Sequence, residues 1–420
     1  MFAQGILIKN ILLNGKEQDI YIEGNTIKEI GVGLEKEGTK IIDGRNKAAI
    51  PSLMNGHTHA AMTLLRGYAD DMPLQEWLQT RIWPIEAKMS EEDIYWGAKL
   101  ACLEMIKSGT TFFNDMYWHW HGTAKAVEEM GLRAMINAVF IDLFDPAKTK
   151  EQIVENERLF EESRTYSSRI IFSLGPHAIY TVSKESLIWC QRFAQENRLF
   201  IHIHLSETKK EVEDCLSQNG ARPVEYLSRI GFLGPNVIAA HCVWLTDSEM
   251  KILRDHEVKI VYNPISNMKL AVGAASPWSK FRRVGLATSL GTDGASSNNN
   301  LDVFEAMKVA ALLEKFSTDD PTALPADEVL NMATINPATA FNLNCGKIEE
   351  GRWADIAMID LKRPELTPGF NLKSDLVYAA SGNVVDTLIC DGQILMENRQ
   401  VKGEEEILVK AKQVAFNLVR

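Results

Sequence analysis

The sequence predicts an α/β protein: a (β/α)8 barrel with a small β unit appended. Three observations predict it. Over residues 53–342, apolar strand-like segments alternate with helical patterns, the texture of repeated βα units around a parallel sheet. Eight such strands in roughly 290 residues match a barrel in number and length. Short β-like segments lie on either side of this stretch, in residues 1–52 and 343–420, and could pair into one sheet.

Taken in order, GILIKNILLNG, QDIYIEGNTIKEIG and TKIIDGRNKAAIPS read as short strands, with Asn14-Gly15 and Gly24-Asn25 as turn signals. The barrel strands follow as AIPSLMNGHTH, TTFFNDMY, LRAMINAVF, IIFSLGPHA, LFIHIHLSE, NVIAAHCV, KIVYNP and LATSLGTDG. EEDIYWGAKLACLEMIKSG exemplifies the intervening helices, with apolar residues every three or four positions and a stop at Gly109. The β texture returns in ADIAMIDLK and DTLICDGQILMENRQV, before an amphipathic helix in EEEILVKAKQVAFNLV. An open doubly wound sheet is the alternative, but no GxGxxG turn follows the first strand.

The bulk properties limit the function. The 420 residues are 45% hydrophobic and 24% charged, as in ordinary globular proteins. A formal charge of -11 argues against nucleic-acid binding and suits a small neutral or cationic ligand. No apolar run approaches the roughly 20 residues of a membrane span. Six cysteines without CxxC spacing, and an opening MFAQGILIKN without a charged region and long apolar run, predict a reduced cytoplasmic protein. No membrane partner is expected; a homo-oligomer stays open.

A barrel of this type places its active site at the C-terminal strand ends, so the polar residues closing each strand are the informative ones. Strand one closes with His57 and His59, strand four with His177, strand five with His202, His204 and Glu207, strand six with His241, strand eight with Asp293. Six of the nine histidines fall in that set. In HxH along a strand both rings share a face and can close on one ion. A catalytic zinc needs three or four N or O ligands and one open position. His57, His59, one strand-five histidine and Asp293 supply four. His204 is preferred to His202 because it lies nearer the strand end, with His202 supporting from below. Glu207 is suited to carrying a proton. His241 could ligate, act as a base or hold water. His119 and His121, in WHWH, read as a rim or pocket wall.

PSLMNGHTH, HIHLSET, AAHCVWL and GTDGASSNNNLDVFEAMK, in this order, resemble the amidohydrolase superfamily over nearly the whole chain. With WPIE and GPHAIYTVS the chain is similar to its 5'-methylthioadenosine/S-adenosylhomocysteine deaminases. The resemblance implies a composite β-sandwich from the terminal segments and one divalent metal, zinc by preference with Fe2+ or Mn2+ as alternatives. It implies His57, His59, His204 and Asp293 as ligands and an adenosine-type nucleoside as substrate. Glu207 and His241 would act on water and purine, with Asp293 orienting the water, Glu86 holding the ribose hydroxyls and His177 touching the substrate. One departure concerns the 5' group. Relatives that use S-adenosylhomocysteine tend to carry arginines after strand three, where this chain offers Lys148, Lys150 and Arg158. A guanine or cytosine deaminase or a triazine hydrolase would share the metal site without needing Glu86, and a non-catalytic scaffold would lack ligands.

Overall fold

A computed structural model describes residues 5–420. The expectation about how the chain opens falls on MFAQ, outside the described residues. Eight parallel strands form the barrel: Leu53–Thr58, Thr110–Tyr117, Arg133–Phe140, Ile170–Pro176, Ile201–Leu205, Val237–His241, Lys259–Tyr262 and Thr288–Leu290. They are ordered in space as in sequence. Each of the eight expected segments contains its strand. The first segment also takes in the end of Lys47–Pro51, which pairs antiparallel with Ile356–Asp360 in the other sheet before Leu53 enters the barrel.

Among the described residues no strand ladder joins the first and eighth strands. Instead the Asn55 side chain donates to Thr292 Oγ1 (2.7 Å) and accepts from Thr292 N (3.1 Å). The amides of Thr292 and Asp293 also donate to the His57 carbonyl at 3.1 and 3.0 Å. Glycine is required in this seam, since a Cβ on Gly291 would lie 2.4 Å from Asn263 Oδ1 and 2.9 Å from His57 N.

Helices cover the barrel. The one over Glu91–Lys107 starts with a reciprocal capping box between Ser90 and Asp93 and stops where Gly109 takes a φ of 82°. Residues 6–51 and 356–401 supply a nine-stranded mixed sheet in which Ile6–Leu13 is central. Asn14 and Gly15 both have positive φ (50° and 79°), as a tight hairpin turn requires. Hydrogen bonding runs through the whole sheet, and its far hairpin tips meet, with Asn25 donating to Asp391 (3.1 Å). The final helix, Glu404–Leu418, follows the last strand of this sheet in sequence. It lies against barrel helix Glu91–Lys107, burying Ile407 and Ala411 and pairing Lys107 with Glu404 (2.6 Å).

The barrel floor is plugged by Phe341, Leu343 and Cys345 packed on Met54, Phe112 and Met135. Beside this plug Arg133, 2% exposed, stacks on Trp353, lies 2.9 Å from Asp391 Oδ1, and faces Asp355 Oδ2 at 3.7 Å. Removing one partner of a buried charge network strands the others. Arg133→Met is expected to lower unfolding stability by about 3–5 kcal/mol, read as a lower denaturant midpoint. Among the described residues no helix is long and apolar enough to cross a membrane. All six cysteines are free and buried.

Candidate active site

The strand ends converge as barrel geometry dictates. Nε2 of His57 and Nε2 of His59 each lie 3.2 Å from Asp293 Oδ1. Ring centroids of His57 and His204 are 5.0 Å apart, and those of His204 and His241 are 5.4 Å apart. Two groups of potential ligand atoms each fit within 4.8 Å: His57, His59 and Asp293, and His57, His204 and His241. His57 is common to both, so the site gathers five candidate ligands rather than the four selected from sequence.

Each ring is aimed by a bond on its far side. His57 Nδ1 is 2.7 Å from Nε2 of His202, which sits below it on the fifth strand. His59 Nδ1 bonds the Met116 carbonyl at 2.5 Å and His204 Nδ1 the His177 carbonyl at 2.9 Å, which turns both Nε2 atoms inward. His241 Nδ1 is 2.9 Å from the Asn267 amide nitrogen and 3.8 Å from Glu207 Oε1. Asp293 Oδ2 accepts from Ser266 (2.6 Å) and Ser297 (3.1 Å), leaving Oδ1 for the cluster. Ser206, His241, Cys242 and Asp293 all have positive φ, so strained backbone collects at these strand ends.

These residues suit a metal ion. His57 Nε2 is buried and makes no well-formed hydrogen bond. The 3.2 Å separations approach the about 3.3 Å expected between neighbouring ligand atoms of a tetrahedron with Zn–N bonds of about 2.0–2.1 Å. Burial holds His241 down to about 3 and drives His204 and His202 well below the ordinary histidine value, which keeps these rings neutral as ligation requires. Burial also acts against charge on His59, yet Asp293 outweighs it and lifts the ring to about 9. Asp293 is held well below the carboxylate range by His57 and His59, although burial opposes this. His59 thus balances the charge of Asp293, the role a bound cation would take over.

Glu207 is buried, and burial followed by repulsion from Asp293 and Glu211 pushes its carboxyl well above the usual range. It lines one cavity together with His59, His204, His241 and Asp293. Glu86 and His177 stand in the same wall. Burial raises Glu86, against hydrogen bonds from Tyr117 and Trp118, and burial holds His177 down to about 3. The structure therefore brings together all eight residues singled out from sequence. His119 and His121 stay apart: His119 Nε2 bonds the Met89 carbonyl (2.9 Å), and His121 bonds Glu162 (2.7 Å). Of the cations after strand three, Arg158 is occupied by Glu155 and Glu162, while Lys148 lines an outer extension of the cavity.

One wall of the cavity lies outside the residues expected from sequence. Leu74, Trp77, Leu78 and Trp83 line the cavity from a segment between the first barrel strand and its helix. That segment includes a π-helical turn, Leu78–Ile82, a form common at functional sites. Two tryptophans in LQEWLQTRIWPIE were the available signal.

Comparison with known proteins agrees with this geometry. The Amidohydrolase family profile matches residues 48–395. The chain is 48% identical to a 5'-deoxyadenosine deaminase of Methanoregula boonei, over 99% of this chain and 96% of that protein. It is 47% identical to 5-methylthioadenosine/S-adenosylhomocysteine deaminase 1 of Archaeoglobus fulgidus, covering 98% and 99%. A crystal structure of an adenosine deaminase from Xanthomonas campestris with bound zinc superimposes with a TM-score of 0.93 at 32% identity, covering 98% of both chains. Histidines and an aspartate gathered at the strand ends, on a barrel alike in sequence and shape to these enzymes, leave one assignment: the chain belongs to the amidohydrolase family.

Proposed function

We propose that the protein is a metal-dependent aminohydrolase that deaminates an adenosine-type nucleoside at C6, yielding the inosine analogue and ammonia. One observation carries this reading: buried Glu207 sits beside the His57, His59, His204 and Asp293 cluster, beneath a cavity walled by Glu86 and His177. These four residues would hold a single divalent ion, zinc by donor type, with Fe2+ or Mn2+ accepting the same donors. His204 is chosen over His202 because its Nε2 faces the cluster, whereas His202 Nε2 is engaged by His57. Such an ion supplies Lewis acidity and lowers the pKa of water towards neutrality.

The chain's own groups do the rest. Asp293 and His241 orient the attacking water and take up its proton. Glu207, held protonated by burial, donates to ring nitrogen N1, which makes C6 electrophilic. The proton taken from water is passed to the exocyclic amine, ammonia leaves as the C6 carbonyl forms, and the hydroxyl proton returns to Glu207. Glu86 offers a carboxylate to the ribose diol, and neutral His177 contacts the substrate.

The names of the relatives support 5'-deoxyadenosine, 5'-methylthioadenosine, S-adenosylhomocysteine and adenosine as the substrate set. Residues 53–342 form the catalytic unit in this reading, with residues 1–52 and 343–420 as the composite β unit. Six free thiols suit the reducing cytoplasm. Ammonia release from those four nucleosides and from guanine, with metal analysis on the same sample, tests the proposal. Release from one or more nucleosides and not from guanine is expected; release from guanine alone overturns it.

A further inference from the structure

The turn that carries Glu207 is held by a residue outside the cluster. The fifth barrel strand ends at Leu205, and Ser206 then takes left-handed backbone with a φ of 50°, which a non-glycine residue keeps only when its surroundings enforce it. Two features enforce it here. The Ser206 carbonyl accepts from the amides of Val243 (3.1 Å) and Trp244 (2.9 Å), stitching the turn to the loop after strand six. On the opposite side the amides of Ser206 and Glu207 both donate to one carboxylate: Ser206 N to Glu211 Oε1 and Glu207 N to Glu211 Oε2, each at 2.8 Å.

Glu211 is well placed for that grip. It lies in the first turn of helix Lys209–Asn219 and is only 5% exposed. Its own amide donates to the capping hydroxyl of Thr208 (3.1 Å), so backbone and side chain are both fixed. A carboxylate accepts on both oxygens, whereas a glutamine would turn an N–H₂ towards one of the two amides.

We propose that Glu211 is a positioning residue: by clamping the Ser206–Glu207 turn it sets where the Glu207 carboxyl meets the substrate ring. This rests on the reading of Glu207 as the proton carrier. Misplacing a catalytic group by about 1 Å can slow turnover about 100-fold. Glu211→Gln is therefore expected to lower kcat by about 100-fold, with KM little changed and metal content and thermal midpoint close to the parent's.

The decisive comparison adds Glu211→Gln to Glu207→Gln. If Glu211 acts through Glu207, the double variant is no slower than Glu207→Gln alone, because the group being positioned has already lost its chemistry. Glu211→Asp, which keeps the charge but shortens the reach, gives the same comparison should the amide prevent folding. Losses that multiply in the double variant, or a raised KM at unchanged kcat, overturn this inference alone. Full turnover in Glu207→Gln overturns the reading of Glu207 and this inference with it.

Discussion

Glu207→Gln is expected to leave the metal in place and slow turnover by about 10²–10⁴-fold. The amide preserves the shape of a buried side chain, and Glu207 lies outside the two tight ligand groups, so bound metal per chain should match the parent's. What the variant loses is the proton. In the parent, burial and repulsion from Asp293 and Glu211 favour the protonated carboxyl that, in the proposed reaction, donates to the purine nitrogen. KM should change far less than kcat, because the proton is delivered during the reaction rather than on binding. Steady-state kinetics with parallel metal analysis checks this, and parental turnover in the variant would refute the role.

Substitutions at the ligands should separate from those behind them. Asp293→Ala removes the carboxylate that draws His57 and His59 together at 3.2 Å, and should abolish both metal retention and detectable ammonia release. His202→Ala removes only the partner of His57 Nδ1 and should weaken metal affinity by about 10–100-fold, with activity recovered at raised metal concentration. Chelator titration of the two variants distinguishes them. Recovery of Asp293→Ala by added zinc, or loss of His202→Ala activity that zinc does not restore, would contradict the assignment.

Much of this site was legible before any coordinates, because strands display their chemistry with a period of two and a barrel collects strand ends at one rim. His57 and His59 announce themselves by spacing, and His204 separates from His202 by its height on the same strand. Other parts left no periodic signal. Asn55 and Thr292 close the barrel through side chains 237 residues apart, a pairing that no local pattern encodes. The final helix has an apolar stripe that shows it must dock, while the choice of barrel helix Glu91–Lys107 over the sheet depends on tertiary packing. His241 illustrates the same division. Its position at a strand end was readable, but its approach to His57 and His204 depends on a left-handed backbone at φ 72°.

The central claim is that this strand-end cluster hydrolyses the C6 amine of a nucleoside. Reaction of the metal-loaded enzyme with 5'-deoxyadenosine in water labelled with heavy oxygen tests it most directly. The account predicts equimolar ammonia and a deaminated nucleoside carrying the label at C6, with the glycosidic bond intact. Free adenine, an unlabelled product, or ammonia formed from guanine but from no nucleoside would contradict it.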